Sequence, residues 1–241
     1  MRHLCADNLS NYAFVNLDTI QKPIRGIVVN CHGFTDETTY SSSPRPGVDL
    51  GREGILYVFP YYSPWAWASD HAFAYIDEVL DVVWEMLDLP SDLPFLIAGG
   101  SMGGMTAMLY TLFGKRRVCA VACNCPVCDL RAILDNNPHV QRSVYYAYLG
   151  TERTIEEEID RHNPILHVSE MPDIPYLMVS GQADLAVPED RHAHPIKQAM
   201  EQAGKQAQFI SVPAMTHCDL QSHEDYYLKY LDFCLTQFGK N

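Results

Sequence analysis

The sequence contains a serine set among glycines, in the stretch LIAGGSMGGMTAMLY at residues 96–110. Gly99, Ser101 and Gly103 fit the pattern G-x-S-x-G, in which the serine occupies a tight turn between a strand and a helix. The apolar run before the serine is typical of a buried strand, and the apolar spacing after it indicates a helix. Because such a turn exposes the serine hydroxyl, we predict that Ser101 is a nucleophile.

A serine hydroxyl needs a base to take its proton, and the base needs a carboxylate to orient it. His217 follows the last predicted strand, in VPAMTHCDL, and is the candidate base. Asp184 follows the preceding strand, in SGQADLAVP, and is the candidate acid, with Asp219 as the alternative. The order serine, acid, histidine along the chain is the order expected with this serine motif.

Two backbone N–H groups are candidates for stabilising an oxyanion. Met102 follows the nucleophile at the start of the predicted helix, where the helix dipole favours negative charge. Phe34 ends the sequence His32-Gly33-Phe34 after the first predicted strand, and Gly33 permits the sharp turn that would direct the Phe34 N–H inward. We expect His32 to hold this loop and to take no part in the chemistry.

The elements that must position these residues alternate between buried apolar runs and amphipathic helices. This alternation predicts a parallel sheet with right-handed crossovers, helices on both faces, and functional residues at the carboxyl ends of the strands. The predicted strands cover residues 26–33, 54–62, 94–100, 118–127, 175–181 and 207–213. The predicted helices cover residues 70–89, 102–113, 188–203 and about 222–238.

These motifs together resemble a known superfamily. The H-G-F sequence, the serine turn, SGQADLAVP and AMTHCDL, in this order, resemble the α/β-hydrolases, and YLMVSGQADLAVPED is similar to their prolyl-oligopeptidase and dienelactone-hydrolase-like branch of esterases and peptidases. The resemblance covers about residues 24–238. It implies an α/β-hydrolase fold with a mostly parallel central sheet and helices on both faces. It also implies a Ser101–Asp184–His217 triad that performs acyl transfer without a metal or another cofactor. The short N-terminal part implies that the usual antiparallel strands are shortened or partly missing.

The chain is predicted to form a single α/β-hydrolase domain over residues 1–241, with a small helical cap inserted at residues 129–171. The insertion follows the fourth predicted strand and delays the fifth. Within it, Thr154 and Glu157 fit a capping box that begins a short acidic helix. An insertion at this position is expected to lie over the serine turn.

Aromatic residues are candidates for contact with the substrate. Trp65 and Trp67 lie in the stretch FPYYSPWAWASDH after the second predicted strand, and Tyr145 lies on a predicted helix of the cap. Their rings could stack on a sugar or a phenolic ring. Ordinary packing of these rings against the core is the alternative.

Composition narrows the classes of partner. The formal net charge of −13 disfavours binding to nucleic acids and to anionic membranes. The absence of an apolar signal segment and the eight cysteines, which suit a reducing compartment, predict a cytoplasmic location. Four cysteines lie close together in sequence: Cys119, Cys123, Cys125 and Cys128. Cys119 and Cys123 fall in the predicted buried strand and alternation directs Cys128 elsewhere, so burial as small apolar residues is favoured and no metal site is predicted.

The expected function is that of a serine carboxylesterase acting on small to medium esters, with acetyl or feruloyl carbohydrate esters as candidate substrates. The expected partner is a small-molecule ester, and self-association stays open. One alternative is a small amino- or dipeptidyl-peptidase, which needs carboxylates to bind the free amine of its substrate; Glu152 and residues 156–158 or 36–37 are the candidates. The other alternative is a catalytically silent ligand-binding module.

Overall fold

Seven strands form one sheet in the computed structural model, which describes residues 4–134 and 137–239. They are β1 (Ala13–Val15), β2 (Gly26–Cys31), β3 (Ile55–Pro60), β4 (Phe95–Gly100), β5 (Ala120–Asn124), β6 (Tyr176–Gly181) and β7 (Ala207–Val212). Their order across the sheet is β1-β3-β2-β4-β5-β6-β7. The short β1 pairs antiparallel with β3, and each neighbouring pair from β3 to β7 is parallel.

The six predicted strands are all present, within a few residues of their predicted bounds. β1 is the shortened antiparallel strand expected at the N-terminus. The central strands are buried on both faces, as the continuous apolar runs in their sequences predict. In β2, for example, Ile27 and Val29 join the core on one face of the sheet, and Val28 joins the core on the other.

Helices cover both faces of the sheet. Within the described residues they are α1 (Arg45–Gly51), α2 (Asp70–Met86), α3 (Met102–Phe113), α4 (Leu130–Leu134), α5 (Pro138–Ala147), α6 (Ile155–Arg161), α7 (Ala193–Gln202) and α8 (Glu224–Thr236). α2 and α3 contribute to the core on one face, and α1 and α8 contribute to the core on the other. None of the helices in the described part of the chain combines the length and apolar character needed to cross a bilayer.

One helix prediction needs correction, and one helix that positions no predicted residue, α1, was not foreseen. The predicted helix at 188–203 begins at Ala193, because Pro195 lacks an N–H group and fits only the first turn of a helix. The residues from Pro188 to His192 form a turn instead, in which the carbonyl oxygen of Pro188 accepts hydrogen bonds from the N–H groups of Arg191 and His192. α1 was not predicted, since its sequence RPGVDLG contains a proline and two glycines, which local propensity disfavours.

The inserted segment after β5 packs through buried polar contacts. Trp67 Nε1 donates to Ser143 Oγ on α5 at 2.8 Å, and the hydroxyl of Tyr148 donates to the carbonyl oxygen of Trp67 at 2.6 Å. The predicted capping box at α6 is confirmed: the Glu157 N–H donates to Thr154 Oγ1 at 3.3 Å, and the Thr154 N–H donates to Glu157 Oε2 at 2.8 Å.

The domain limits stay predictions. The predicted domain 1–241 and its insertion 129–171 include residues 1–3, 135–136 and 240–241, which lie outside the described residues.

Candidate active site

Ser101 occupies the turn between β4 and α3 in a backbone conformation that non-glycine residues rarely adopt, with φ 54° and ψ −123°. Backbone hydrogen bonds hold this conformation. The Ser101 N–H donates to the carbonyl oxygen of Asn124 at 3.1 Å, and the Ser101 carbonyl oxygen accepts from the N–H of Val127 at 3.1 Å. The end of β5 therefore fixes the turn that projects the serine side chain above the sheet.

The glycines around Ser101 are required by close approach of the backbone. A Cβ on Gly103 would overlap the carbonyl oxygen of Cys31 on β2, and a Cβ on Gly99 would overlap the backbone of Gly103. A Cβ on Gly104 would lie 2.6 Å from the Cβ of Pro126. Side chains at these positions would push α3 away from the sheet and displace the serine turn.

Asp184 and His217 form a hydrogen-bonded pair at the neighbouring strand ends. Asp184 lies after β6, and its Oδ1 accepts from the N–H groups of Ala186 and Val187, each at 2.9 Å. Its Oδ2 accepts from His217 Nδ1 at 2.7 Å. The sequence alternative, Asp219, accepts instead from the hydroxyl of Ser222 at 2.6 Å. Of the two candidate carboxylates, Asp184 is therefore the one that contacts the imidazole.

Burial and hydrogen bonding have opposite effects on the pKa values of this pair. Burial raises the pKa of the Asp184 carboxyl, but the hydrogen bonds from His217 and from the Val187 N–H outweigh it and place that pKa below its ordinary value. Burial lowers the pKa of His217, but the hydrogen bond to Asp184, with a smaller contribution from the nearby Cys125, outweighs it and raises that pKa to about 9. The surroundings therefore stabilise an imidazolium, the species that forms when a histidine base takes a proton from serine.

The free nitrogen of the imidazole faces sulfur. His217 Nε2 lies 3.8 Å from Cys218 Sγ, and within the described residues it forms no hydrogen bond with Ser101 Oγ. Ser101 and His217 nevertheless line the same two cavities. Catalytic hydrogen bonds are often long or misaligned without substrate, so the missing bond does not argue against His217 as the base.

The two candidate oxyanion donors flank the serine turn. The N–H groups of Phe34 and Met102 lack hydrogen-bond acceptors among the described residues. The Phe34 loop approaches the serine closely, since a Cβ on Gly33 would lie 3.7 Å from the Cβ of Ser101. His32 holds this loop in place: its Nε2 lies 2.9 Å from the carbonyl oxygen of Tyr62, and its ring stacks on the Tyr62 ring.

Cavities open on both sides of Ser101 and His217. The first has a volume of about 370 Å³, and its lining includes the aromatic and aliphatic residues Tyr40, Leu50, Phe59, Leu220 and Tyr230. The second has a volume of about 410 Å³, and its lining includes Trp67, Ile133, Val140, Val187, Arg191 and His192. The first cavity also contains a carboxylate, Asp36, whereas the second contains a cationic residue, Arg191.

The aromatic residues predicted to contact the substrate occupy three different environments. Trp67 is 1% exposed and lines the second cavity. Trp65 is 42% exposed and lines a separate groove, in which its ring packs edge-on against Tyr146. Tyr145 is 51% exposed and is absent from the lining of both cavities, contrary to the prediction. The helical spacing of α5 suggested an inward position, but Val140 and Val144 occupy the buried face of this helix.

The sequence prediction missed a pair of cysteines beside the imidazole. Cys123 belongs to the core on one face of the sheet, whereas Cys125 belongs to the core on the other face, where it meets Cys218. The Cys218 N–H donates to Cys125 Sγ at 3.4 Å, although the two residues are 93 positions apart. The sequence offered one signal of this pair: Cys218 directly follows the predicted base, His217.

Comparisons with known proteins agree with this fold. The model of the prolyl oligopeptidase family matches residues 93–241. No curated protein matches the sequence. A truncated carbohydrate esterase from gut microbiota aligns with a TM-score of 0.71 at 19% identity, over 96% of this chain and 92% of its own. An S-formylglutathione hydrolase from Agrobacterium tumefaciens aligns with a TM-score of 0.67 at 17% identity, over 94% and 89%.

A third structure, the acylaminoacyl peptidase of Pyrococcus horikoshii, aligns with a TM-score of 0.71 at 12% identity, over 92% of this chain but only 38% of its own. At these identities the structural likeness establishes the α/β-hydrolase fold, and the activities named belong to those proteins. The family match covers more than half of the chain, including the serine turn and the Asp184–His217 pair. The chain therefore belongs to the prolyl oligopeptidase family.

Proposed function

We propose that the protein is a serine carboxylesterase that cleaves small to medium esters through an acyl-enzyme. The observation that carries this proposal is the pairing of Asp184 Oδ2 with His217 Nδ1 at 2.7 Å, beside a serine held at φ 54°. The family match supports a hydrolase of the esterase or peptidase type.

In this proposal Ser101 Oγ attacks the ester carbonyl carbon while His217 Nε2 takes the hydroxyl proton. Asp184 stabilises the imidazolium through its hydrogen bond to Nδ1. The N–H groups of Phe34 and Met102 stabilise the negative oxygen of the tetrahedral intermediate. The intermediate collapses, His217 returns the proton to the leaving alcohol, and water then cleaves the acyl-enzyme by the same route.

The sizes of the two cavities favour an ester whose acyl group and alcohol group are both small to medium. Volumes of about 370 and 410 Å³ lie at the lower end of the range for small-molecule sites. The rings of Phe34 and Tyr40, which are both partly exposed and line the first cavity, offer faces for an aryl or sugar group. Acetyl and feruloyl carbohydrate esters are therefore the finer candidates for the substrate.

A peptidase remains the second candidate because of the family match. It needs carboxylates at the cavities to bind a free amine. Asp36 lines the first cavity, but Glu37 and Glu152 are absent from the described lining of either one. Glu158 is 1% exposed and pairs with Arg153 at 3.1 Å. A single carboxylate favours the esterase over an aminopeptidase. A silent binding module is the third candidate.

The test is hydrolysis of p-nitrophenyl esters from acetate to octanoate, with peptide p-nitroanilides, acetylated sugars and feruloyl sugars assayed in parallel. We expect ester turnover in the wild type and a loss of about 10⁴-fold or more in Ser101→Ala. Ser169→Ala, an exposed serine, is the matched control and should retain full activity. Turnover of the p-nitroanilides alone would establish the peptidase. Tight ester binding without turnover would establish the binding module.

A further inference from the structure

Three side chains beside the active site bring potential metal-binding atoms together. Cys125 Sγ, Cys218 Sγ and His217 Nε2 all lie within 4.8 Å of one another. Cys125 follows β5, whereas His217 and Cys218 follow β7, so the cluster exists only because the loop after β7 reaches across the end of β6. The side-chain amide of Asn124 donates to the carbonyl oxygen of Cys218 at 3.1 Å and holds this loop in place.

We propose that Cys125, His217 and Cys218 form a Zn²⁺-binding site that switches the hydrolase off when it is occupied. In a tetrahedral zinc site, Zn–S bonds of about 2.3 Å and Zn–N bonds of about 2.0–2.1 Å place the ligand atoms roughly 3.5–3.8 Å apart. The 3.8 Å between His217 Nε2 and Cys218 Sγ already meets this spacing. The remaining separations, none above 4.8 Å, need to contract by about 1.3 Å at most, which side-chain rotation can supply.

The donor set suits zinc. Two thiolates and one imidazole favour borderline-soft cations over Mg²⁺ or Ca²⁺, which prefer oxygen ligands. Three protein ligands leave a fourth position open, and the first cavity, which His217 and Cys218 both line, supplies room there for a water molecule.

The environment of the imidazole also matches that of a zinc ligand. Metal-binding histidines donate their second N–H to a carboxylate or a carbonyl oxygen. His217 Nδ1 donates to Asp184 Oδ2 at 2.7 Å, which directs Nε2 toward the two sulfur atoms. Both cysteines adopt positive φ values, 48° for Cys125 and 58° for Cys218. Such conformations cost free energy in non-glycine residues and cluster at functional positions.

Zinc binding and catalysis require the same lone pair. Nε2 either accepts the proton of Ser101 or donates its electron pair to Zn²⁺, and it cannot do both. Binding would release the thiol protons to solvent and leave the covalent structure unchanged. The inhibitory consequence rests on the proposed function, whereas metal binding itself does not.

Zinc binding is measured by equilibrium dialysis of untagged protein against ZnCl₂, with Co²⁺ as a spectroscopic probe for thiolate ligands. The measurement uses Ser101→Ala as well as the wild type, because this variant keeps the cluster whether or not the protein is an esterase. We expect one Zn²⁺ per chain in both, and a thiolate-to-Co²⁺ charge-transfer band. Cys125→Ser and Cys218→Ser should each weaken binding by more than about 100-fold, since loss of an outer partner alone costs 10–100-fold.

Cys119→Ser is the matched control, because Cys119 lies outside the cluster and is partly exposed. It should bind Zn²⁺ like the wild type. Cys125→Ala and Cys218→Ala replace any serine variant whose circular dichroism differs from that of the wild type. Zinc binding that survives removal of both cysteines, or no binding by the wild type, overturns the site. If Zn²⁺ binding is confirmed, esterase activity should fall as zinc occupancy rises and return when EDTA removes the metal. Zinc binding without inhibition would overturn the proposed switch but leave the proposed zinc site intact.

Discussion

Replacement of Asp184 by asparagine tests the proposed mechanism most directly. Asp184 Oδ1 accepts two backbone N–H groups, from Ala186 and Val187, each at 2.9 Å. An asparagine must keep its carbonyl oxygen in this position, because an amide NH₂ group cannot accept those bonds. Its NH₂ group is then forced to face His217 Nδ1.

The imidazole consequently changes its tautomer. In the wild type Nδ1 donates its proton to Asp184 Oδ2 at 2.7 Å, which leaves the Nε2 lone pair free in the neutral ring. Opposite an NH₂ group, Nδ1 must accept and Nε2 must carry the proton, so His217 cannot take the proton of Ser101. The equivalent change in a serine protease lowers kcat by about 10⁴, which corresponds to about 5.5 kcal/mol of transition-state stabilisation.

The expected loss of stability is much smaller. The two backbone hydrogen bonds persist as neutral ones, and the weakening of the charge-assisted bonds costs about 1–2 kcal/mol. For a chain of this size, that corresponds to a fall in Tm of roughly 2–8 °C. Asp184→Asn should therefore remain folded at 25 °C and lack activity.

The assay is kcat/KM for p-nitrophenyl butyrate at a fixed pH, with Tm from circular dichroism. The matched control is Asp219→Asn, two positions after His217, whose carboxylate accepts from Ser222 and does not contact the ring. We expect its activity to stay within about threefold of the wild type. If Asp184→Asn kept activity within tenfold of the wild type, or if Asp219→Asn caused the loss instead, the assignment of the acid would be wrong.

Three other predictions concern the base, the serine turn and the core. Because the pKa of His217 is raised to about 9 and the base must be neutral to act, kcat/KM should increase about tenfold per pH unit as pH rises toward 9 and then level off. A plateau of kcat/KM already reached at pH 7 would contradict the raised pKa. Gly103→Ala should lower the free energy of unfolding by about 3 kcal/mol and reduce kcat, because the added Cβ overlaps the carbonyl oxygen of Cys31. The control, Gly150→Ala, has open space around the added Cβ at φ 85°, so it should lower the free energy of unfolding by only about 1–2 kcal/mol and leave kcat unchanged. Equal losses of stability in the two variants would refute this argument. Asn16→Ala should lower Tm by roughly 5–15 °C, because Asn16 is fully buried and its side chain forms hydrogen bonds with the backbone of residues 47, 55 and 57. A fall in Tm below about 2 °C would show that these backbone groups find other hydrogen-bond partners in the variant.

Much of the fold follows from the sequence because its determinants are local. The apolar runs and their bounding turns identify the six parallel strands, and the helical spacing of residues 102–113 matches α3. The glycines around Ser101 identify the serine turn, since close backbone approach excludes side chains there. The helices that were not predicted, α1 and α4, are short, and α1 has a composition that local propensity disfavours.

The side-chain environments follow the sequence less closely. Trp65 and Trp67 are two positions apart in one loop, yet one is 42% exposed and the other 1% exposed. Trp67 is buried because α5, from the inserted segment, supplies Ser143 as a partner for its indole N–H. Tyr145 is exposed for a related reason: the face of α5 that contacts the rest of the protein is set by Val140 and Val144. Both outcomes depend on where α5 docks, which periodicity does not specify.

The sequence by itself determined the chemical groups of the candidate site and their order along the chain: a serine in a glycine turn, then an acid, then a histidine, each after a strand. Only the tertiary structure decided which groups meet. It paired His217 with Asp184 and not with the nearby Asp219, because the loop after β7 crosses the end of β6. The same crossing brings Cys218 to Cys125, 93 positions away. Contacts between distant segments depend on sheet order and loop path, which no local pattern of residues encodes.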